Sequence, residues 1–204
     1  MDYESFEQFE SVLYRLAEGN KYEKKSDAPL ISPAIYKPDT TRANENVLAW
    51  GGFGIVDVDD FHGDIKEIEK KYETYKYVCY STASSSVNSP KFRLVFPLTK
   101  FVDQADIKHF WYALNKEIGD IADAQTKDLS RMYYVPSQYR NGFNFIFSHE
   151  GDVMDPDEIM VRHKYIVRSE NFYDRLPDAI KQGLMEHRKS QLNNTDITWT
   201  GYRD

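Results

Sequence analysis

The sequence predicts an α/β domain in which helices cover a sheet of mixed strand direction. Three observations predict this fold class. Apolar residues recur at helical spacing in segments 3–17, 64–75 and 104–118. Runs rich in aromatic and β-branched residues, which favour strands, lie between the helical segments. The two kinds of segment alternate along the chain, as they do in layered α/β structures.

In the first part of the chain, glycine and proline separate the expected elements. Segment 3–17 places its large apolar side chains on one face, so an amphipathic helix is expected. Residues 21–46 are polar and contain three prolines, which disfavour a helix, and an irregular connection is expected there. Strands are expected at 47–50 and 53–58, with a turn or bulge at the pair of glycines between them.

In the middle of the chain, the alternation continues. Segment 64–75 carries isoleucine and tyrosine on one side and lysine and glutamate on the other, which predicts a second helix. Strands are expected at 77–81 and 92–98, on either side of the polar loop 83–90. A third helix is expected at 104–118, since its apolar residues recur every three or four positions.

The last part of the chain predicts a change of organisation. Strands at 132–135 and 143–147 complete the set, and the pattern after Asp155 is helical, with 171–189 as the last helix. The final residues are polar, so we expect them to be frayed or to lead to a further domain. We therefore expect a catalytic domain over residues 1–165 and a helical extension over 166–204.

The composition excludes several classes of protein. A chain of 204 residues that is 41% hydrophobic can bury a real core. The single cysteine, Cys79, cannot form a disulfide within the chain or a cysteine-rich zinc site, which suits a reducing cytoplasm. No segment approaches the ~20 apolar residues of a membrane span, so no membrane association is expected. The net charge of −7 requires any contact with DNA to be local.

The sharpest chemical feature is the end of the strand 53–58. Alternation along a strand sends Asp57 and Asp59 to the same face. Two adjacent carboxylates repel each other, and Mg²⁺ or Mn²⁺ relieves that repulsion while keeping water and phosphate oxygens in its shell. Two-metal phosphoryl transfer uses this arrangement. Solvated aspartates in an acidic turn are the alternative. His62 is placed to approach such a metal, or else is a turn residue.

A serine-rich loop and the strand that follows it predict a phosphate site. The loop offers the hydroxyls of Ser84, Ser85 and Ser86, and Lys91 and Arg93 project alike from the next strand. Hydroxyl groups and free backbone followed by two cations are suited to a triphosphate. The alternative interpretation is a flexible hairpin loop.

A third segment places a carboxylate ahead of an arginine and a strand. Asp123 would complete a metal site there, and the guanidinium of Arg131 would hold a phosphate with two parallel hydrogen bonds. Alternatively, Asp128 or Ser130 caps a turn and Arg131 forms a surface ion pair.

Taken in order, these segments resemble the archaeo-eukaryotic primase superfamily, in particular the primase-polymerase domains of phage and plasmid helicase-primases. That family shows a strand ending in Asp-x-Asp and then a tyrosine-serine strand with a polar loop. The next strand corresponds here to Lys91–Leu98, and an aspartate-to-arginine segment corresponds to Asp123–Ser137. A later glycine-to-aspartate pattern is echoed at His149–Asp155. The resemblance covers about residues 40–160.

The resemblance implies a primase-polymerase core built on an RRM-like mixed sheet with flanking helices. It implies DNA-templated nucleotidyl transfer in phage or plasmid replication, with Mg²⁺ or Mn²⁺ as cofactor. The implied partners are an NTP or dNTP, a single-stranded DNA template and a replicative helicase, all in the host cytoplasm.

The resemblance also assigns roles to individual residues. It places Asp57, Asp59 and Asp123 on the metals, with Asp128 as the alternative third carboxylate. Arg93 and Arg131 would lie near the triphosphate, and Arg42 would face the template or the nucleotide. Ser85 stands where the family normally has a histidine, and a hydroxyl donates a hydrogen bond but no charge, so nucleotide binding is expected to be weaker.

Two alternatives belong to other functional classes. One is a catalytically weakened module that keeps the fold and binds single-stranded DNA or replisome partners. The other is a rolling-circle initiator, which is disfavoured because such nickases bind their metal through a His-x-His pair. None of the five histidines in this chain has that spacing.

Overall fold

The structure is a computed structural model that describes residues 4–123, 126–165 and 176–192. The chain divides into two compact units, Met1–Tyr165 and Ile166–Asp204. The described part of the second unit contains one helix, α5 (Asp178–Leu192), in the region of the predicted final helix. The start of that predicted helix and the polar end of the chain lie outside the described residues.

The first unit contains four helices and eleven strands among its described residues. The helices are α1 (Phe6–Gly19), α2 (Glu67–Lys71), α3 (Ile107–Glu117) and α4 (Pro156–Arg162). The strands are β1 (Lys21–Tyr22), β2 (Leu30–Ile31), β3 (Ala34–Tyr36), β4 (Val47–Trp50), β5 (Phe53–Val58), β6 (Tyr77–Ser81), β7 (Phe92–Pro97), β8 (Val102–Asp103), β9 (Tyr133–Tyr134), β10 (Gln138–Tyr139) and β11 (Ile146–His149). Short 3₁₀ turns lie at Lys25–Asp27 and Asn44–Asn46.

A four-stranded sheet forms the centre of the unit, with strand order β11-β6-β7-β5. Every pairing within this sheet is antiparallel, and β5, β6 and β7 are buried along their whole length. The one parallel pairing between named strands of the described chain joins β1 to β10. The α/β class and the three central strands are therefore confirmed, while mixed strand direction arises outside the central sheet.

Helices cover the two faces of the central sheet. On one face, α3 approaches so closely that a Cβ atom on Gly54 would lie 3.3 Å from Leu114 and 3.4 Å from Phe110. On the other face, α1 packs Phe9 against Phe53, with ring centroids 4.4 Å apart. Full burial of such side chains stabilises the fold by roughly 1.5–3 kcal/mol each, so both helices hold β5 in place.

The first helix starts later than its apolar pattern predicts. Ser5 has an extended backbone and its side chain accepts a hydrogen bond from the backbone N–H of Gln8, which makes it the N-cap. The helix ends at Gly19, and the backbone N–H of Asn20 still donates to Leu16. The helix predicted for this segment is thus confirmed, displaced by a few residues.

The segment 21–46 is more ordered than its composition predicts. It forms β1, β2 and β3, of which β1 pairs with β10 and β2 with β9. The third strand joins β4 and β8 in a separate three-stranded sheet. These strands are two or three residues long, which is too short to carry a periodic signal.

Two predicted helices are shorter in the structure. Only Glu67–Lys71 of the segment 64–75 is α-helical, because the residues before it form tighter turns in which Ile68 donates to Ile65. The third helix begins at Ile107, since Val102–Asp103 pairs with β4 instead. As predicted, a helix follows Asp155, which caps α4 with its side chain.

A polar network ties the end of α3 to α4. The carboxylate of Glu117 accepts hydrogen bonds from Tyr75 and His163 and pairs with Arg162. Its side chain is 12% exposed. Burial raises the pKa of Glu117, but these hydrogen bonds and the charge of Arg162 outweigh burial, and the pKa is lowered.

In the described part of the chain, no helix is both long and apolar enough to cross a bilayer.

Candidate active site

The carboxylates at the end of β5 lie on the face that α1 covers. Alternation places Asp57 on the same side as Phe53 and Ile55, which pack against α1. The cover ends before Asp57, and a pocket of about 270 Å³ opens there. Asp57 is 7% exposed, whereas the side chain of Asp59 is 47% exposed. Both line this pocket, in keeping with the expectation that they share a face.

The pocket gathers charged and hydroxyl side chains from seven separate stretches of the chain. Its lining consists of Lys25, Asp57, Asp59, Ser81, Thr82, Ala83, Ser84, Arg93, Asp123, Arg131, Met132, Tyr134, Val135 and Tyr139. Three carboxylates and three basic groups therefore share one small cavity. Strands β5, β6 and β7 form its floor, and the segments around β9 and β10 form part of its rim.

Arg93 lines the pocket and is paired with Asp57. The two residues are directly opposite each other in the pairing of β5 with β7. Nη2 of Arg93 donates to Oδ2 of Asp57 at 3.1 Å, and Nη1 donates to the backbone oxygen of Tyr134 at 3.1 Å. The rings of Tyr80 and Tyr133 lie 5.9 and 5.7 Å from the guanidinium carbon. Arg93 thus holds Asp57 in a fixed orientation.

The pair leaves two buried polar atoms without a hydrogen bond. Nε of Arg93 lies 3.1 Å from Oδ1 of Asp57, within ion-pair distance, but the angle is unsuitable for a hydrogen bond. Burial raises the pKa of the Asp57 carboxyl, and the charge and hydrogen bond of Arg93 oppose that rise. The oxygen Oδ1 therefore faces the guanidinium through charge alone, without a hydrogen bond from the described residues.

Lys91 stands beside Asp59 in the way that Arg93 stands beside Asp57. Its Nζ lies 3.6 Å from Oδ1 of Asp59, and the two side chains are 30% and 47% exposed. The two basic residues that were predicted to cradle a triphosphate therefore accompany the two aspartates. Of these two pairs, the one between Lys91 and Asp59 is open to solvent.

Asp123 and Arg131 reach the pocket from the segment before β9. The backbone N–H of Asp123 donates to the backbone oxygen of Asp57 at 2.9 Å, which fastens this segment to the end of β5. Arg131 lines the cavity, and its Nε is buried without a hydrogen-bond partner in the described chain. No carboxylate of the described residues forms an ion pair with its guanidinium, so the predicted surface ion pair is not found there.

Of the three loop serines, only Ser84 lines the pocket. Ser85 is 3% exposed, and its hydroxyl accepts a hydrogen bond from the backbone N–H of Lys91 at 3.1 Å. Ser86 bonds to Ser89 across the tip of the loop. The predicted phosphate role of Ser85 and Ser86 finds no support in this geometry, because both hydroxyl groups serve the loop itself.

Three further residues lie outside the pocket lining. His62 is paired with Asp60 at 3.1 Å, and both side chains are 89% exposed. Asp128 is exposed, and its backbone oxygen accepts a hydrogen bond from the N–H of Arg131 in a turn. Arg42 is exposed. The geometry therefore favours Asp123 over Asp128 as the third carboxylate.

Two residues that line the pocket, Lys25 and Tyr139, were not predicted from the sequence. Lys25 lies in a 3₁₀ turn of the segment that was predicted to be irregular, and it lines the pocket. Tyr139 lines the pocket from β10. Their positions depend on the pairing of β1 with β10 and of β2 with β9. A run of lysines was visible in the sequence, but nothing marked which lysine lies beside the carboxylates.

The later glycine-to-aspartate pattern has a packing role. A Cβ atom on Gly151 would lie 2.6 Å from the backbone carbonyl carbon of Tyr75, so no other residue fits there without movement of the backbone. Asp155 is the N-cap of α4. Within residues 4–123, 126–165 and 176–192, no group of three or more His, Cys, Asp or Glu side chains is gathered closely enough to bind a metal ion. The three carboxylates of the pocket are neighbours, not a closed cluster.

The chain is similar to one solved structure and to one protein family. None of the curated protein sequences is significantly similar to the chain. One solved structure, the AEP domain of the primase-polymerase of cyanophage S-2L, is similar over 64% of this chain and 68% of that chain. The sequence identity is 16% and the TM-score is 0.44. A family model, the VapE N-terminal domain, matches residues 38–171, more than half of the chain. The chain therefore belongs to the VapE N-terminal domain family.

Proposed function

We propose that the chain is a metal-dependent nucleotidyltransferase that copies single-stranded DNA, as a primase, a DNA polymerase or both. One observation carries the proposal, namely that Asp57, Asp59 and Asp123 line the same cavity as Arg131 and Lys25. Carboxylates bind Mg²⁺ or Mn²⁺, and basic side chains bind phosphate. The cavity therefore combines the two chemistries that transfer of a nucleotide from a triphosphate requires.

The carboxylates fit divalent ions by their chemistry. Oδ1 of Asp57 is buried without a hydrogen bond, and Asp59 is partly exposed at the mouth of the cavity. In the proposal these two residues hold Mg²⁺ or Mn²⁺, with Asp123 as the third carboxylate. The ions would activate the attacking 3′-hydroxyl and neutralise the leaving pyrophosphate.

In the proposal, the other side chains of the pocket either bind the phosphates or position the aspartates. Arg131 and Lys25 bind the phosphates of the incoming nucleotide, and Ser84 adds a hydroxyl donor. Arg93 and Lys91 act on the aspartates instead, since each lies beside one of them. A guanidinium that already holds Asp57 keeps that carboxylate oriented and offsets the cost of burying its charge. In-line attack on the α-phosphate then depends on positioning and electrostatics.

We propose phage or plasmid replication in the host cytoplasm as the setting. The substrates would be an NTP or dNTP and a single-stranded DNA template, and a replicative helicase would be the partner. The support for this setting is the order of motifs between residues 40 and 160.

A second candidate function is that of a catalytically weakened module that binds DNA or replisome proteins. It is favoured by the ion pairs of Asp57 and Asp59, since both carboxylates already have basic partners. The hydroxyl of Ser85 points into the loop, so it supplies nothing in place of the family's histidine.

Primer synthesis and extension on single-stranded DNA, with Mg²⁺ or Mn²⁺, test the two candidates. The variant D57N/D59N keeps the size of both side chains and removes their charge. We expect it to lose at least about 100-fold in nucleotide addition, since aligned electrostatic groups commonly contribute that much. The control is D60N, because Asp60 adjoins the pair but points into solvent.

Each result points to one candidate. Loss of product in D57N/D59N together with full activity in D60N supports the transferase. Product formation that survives in D57N/D59N refutes it. Absence of product in the native chain, with DNA binding retained, supports the binding module.

A further inference from the structure

A trough leads away from the active-site pocket. A second cavity of about 530 Å³ shares Lys25, Ala83, Ser84 and Tyr139 with the lining of the pocket. A third cavity of about 400 Å³ shares three lining residues with the second, among them Arg140. The three cavities are therefore neighbours on the surface of the unit. We call the second and third together the basic trough.

The trough is positively charged in a chain that is negative overall. Its charged lining residues are Lys21, Glu23, Lys25 and Arg140, and all four are exposed. Three basic groups against one acidic group contrast with a net charge of −7 for the chain. The basic trough therefore has an excess of positive charge next to the pocket that holds the three carboxylates.

The one acidic residue that lines the trough, Glu23, forms only a weak ion pair with Arg140. Glu23 lies 3.5 Å from Arg140, and their side chains are 78% and 80% exposed. An exposed pair of this kind is weak and is screened by salt. Arg140 therefore remains available to a stronger anion such as a phosphate, which a guanidinium binds through two hydrogen bonds.

The trough is built on the short strands at the rim of the pocket. Lys21 is paired with Gln138, and Arg140 directly follows β10, so the two basic side chains flank one parallel ladder. Tyr22, which is half-buried, lines the third cavity together with them and offers a ring on which a base can stack. Basic groups beside an aromatic ring are the usual lining of a site for single-stranded nucleic acid.

We propose that the basic trough binds the sugar–phosphate backbone of a single nucleic-acid strand whose next base enters the pocket of Asp57 and Asp59. The inference rests on the proposed function, and it adds the path of the strand. The combination of basic side chains with the ring of Tyr22 is the reason to expect a single strand and not a duplex. A free nucleoside triphosphate carries the same phosphate chemistry, and the experiment separates the two ligands.

The variant K21Q/R140Q removes two positive charges from the trough and leaves the lining of the pocket unchanged. The matched control is K66Q/K70Q, which removes two charges from exposed lysines at α2 that line neither the trough nor the pocket. Binding of fluorescent oligothymidylate about 20 nucleotides long is measured by anisotropy as salt is raised. Binding of a nucleoside triphosphate with Mn²⁺ is measured in parallel by calorimetry.

We expect K21Q/R140Q to weaken oligonucleotide binding by about 25-fold at 0.1 M salt, because each phosphate contact to a single strand contributes about 0.7 to the slope of log affinity against log salt. The slope itself should fall by about 1.4. Triphosphate affinity should stay unchanged, and K66Q/K70Q should bind like the native chain.

Three outcomes overturn the proposal. They are an equal loss in K21Q/R140Q and K66Q/K70Q, a loss of triphosphate affinity in place of oligonucleotide affinity, and an absence of oligonucleotide binding by the native chain. The proposed function fails separately, through D57N/D59N. If the native chain makes no product but K21Q/R140Q still weakens oligonucleotide binding, the trough stands and the transferase does not.

Discussion

The ion pair between Arg93 and Asp57 yields the most direct test of how the site is built. Both side chains are 10% exposed. Replacing Arg93 with methionine keeps a long unbranched side chain and leaves the charge of Asp57 buried without a partner. Loss of one member of a buried pair costs about 3–5 kcal/mol in the free energy of unfolding. Each kcal/mol shifts the melting temperature by roughly 2–4 °C in a chain of this size.

The effect of R93M should depend on pH. Burial raises the pKa of Asp57 above its ordinary value of 3.8, and loss of Arg93 removes an effect that lowers it. When a carboxyl has a raised pKa in the folded state, the free energy of unfolding is highest below pH 3.8, where the carboxyl is protonated in both states. The free energy of unfolding falls as pH rises from 3.8 through the folded pKa, because the folded state then holds a buried charge. The difference between R93M and the native chain should therefore be smallest near pH 4 and largest at neutral pH.

Urea unfolding followed by tryptophan fluorescence measures this cost, in a cycle with D57N and D57N/R93M. The double variant should lose at least about 2 kcal/mol less than the two single losses added together, because it buries no unpaired charge. The control is K91M, which removes the half-buried partner of the exposed Asp59 and should cost less than about 1 kcal/mol. A loss in R93M as small as that in K91M, or an additive cycle, would refute the reasoning.

Two further predictions concern stability away from the pocket. The pKa of Glu117 is lowered in the folded state. Its contribution to the free energy of unfolding is therefore fully present above pH 4.5 and is lost as pH falls through the folded pKa. Urea unfolding of E117Q should show a loss of about 1–3 kcal/mol at pH 7 that shrinks below pH 4.5. A constant loss across that range would contradict this account. G151A should lose about 1–3 kcal/mol in the same assay, because its new methyl meets backbone. Its control, G19A, places a methyl in open space and should lose nothing; equal stability of the two variants would be contrary to expectation.

The parts of the fold that the sequence predicts well are those with a local physical signal. Strands β5, β6 and β7 are rich in aromatic and β-branched residues, and α3 repeats its apolar residues at helical spacing. The shared face of Asp57 and Asp59 follows from alternation along one strand. Each of these features depends only on residues that are neighbours in the sequence.

The features that escaped prediction depend on residues far apart. That Arg93 binds Asp57 follows from the register of β5 and β7, which no single strand encodes. The inward direction of Ser85 depends on the N–H of Lys91. The place of Lys25 beside the carboxylates depends on strands of two residues, too short for any periodic pattern. Sequence therefore locates the carboxylates, and tertiary pairing decides what surrounds them.

The rim strands also determine when the site can exist during synthesis. Residues 21–31 pair with residues 133–139. One wall of the cavity can therefore form only after most of the first unit has emerged from the ribosome. Pairings that join such distant residues form slowly. The region matched by the family model begins at residue 38, after α1, β1, Lys25 and β2. A gene fragment trimmed to that region would encode the carboxylates without the wall that faces them.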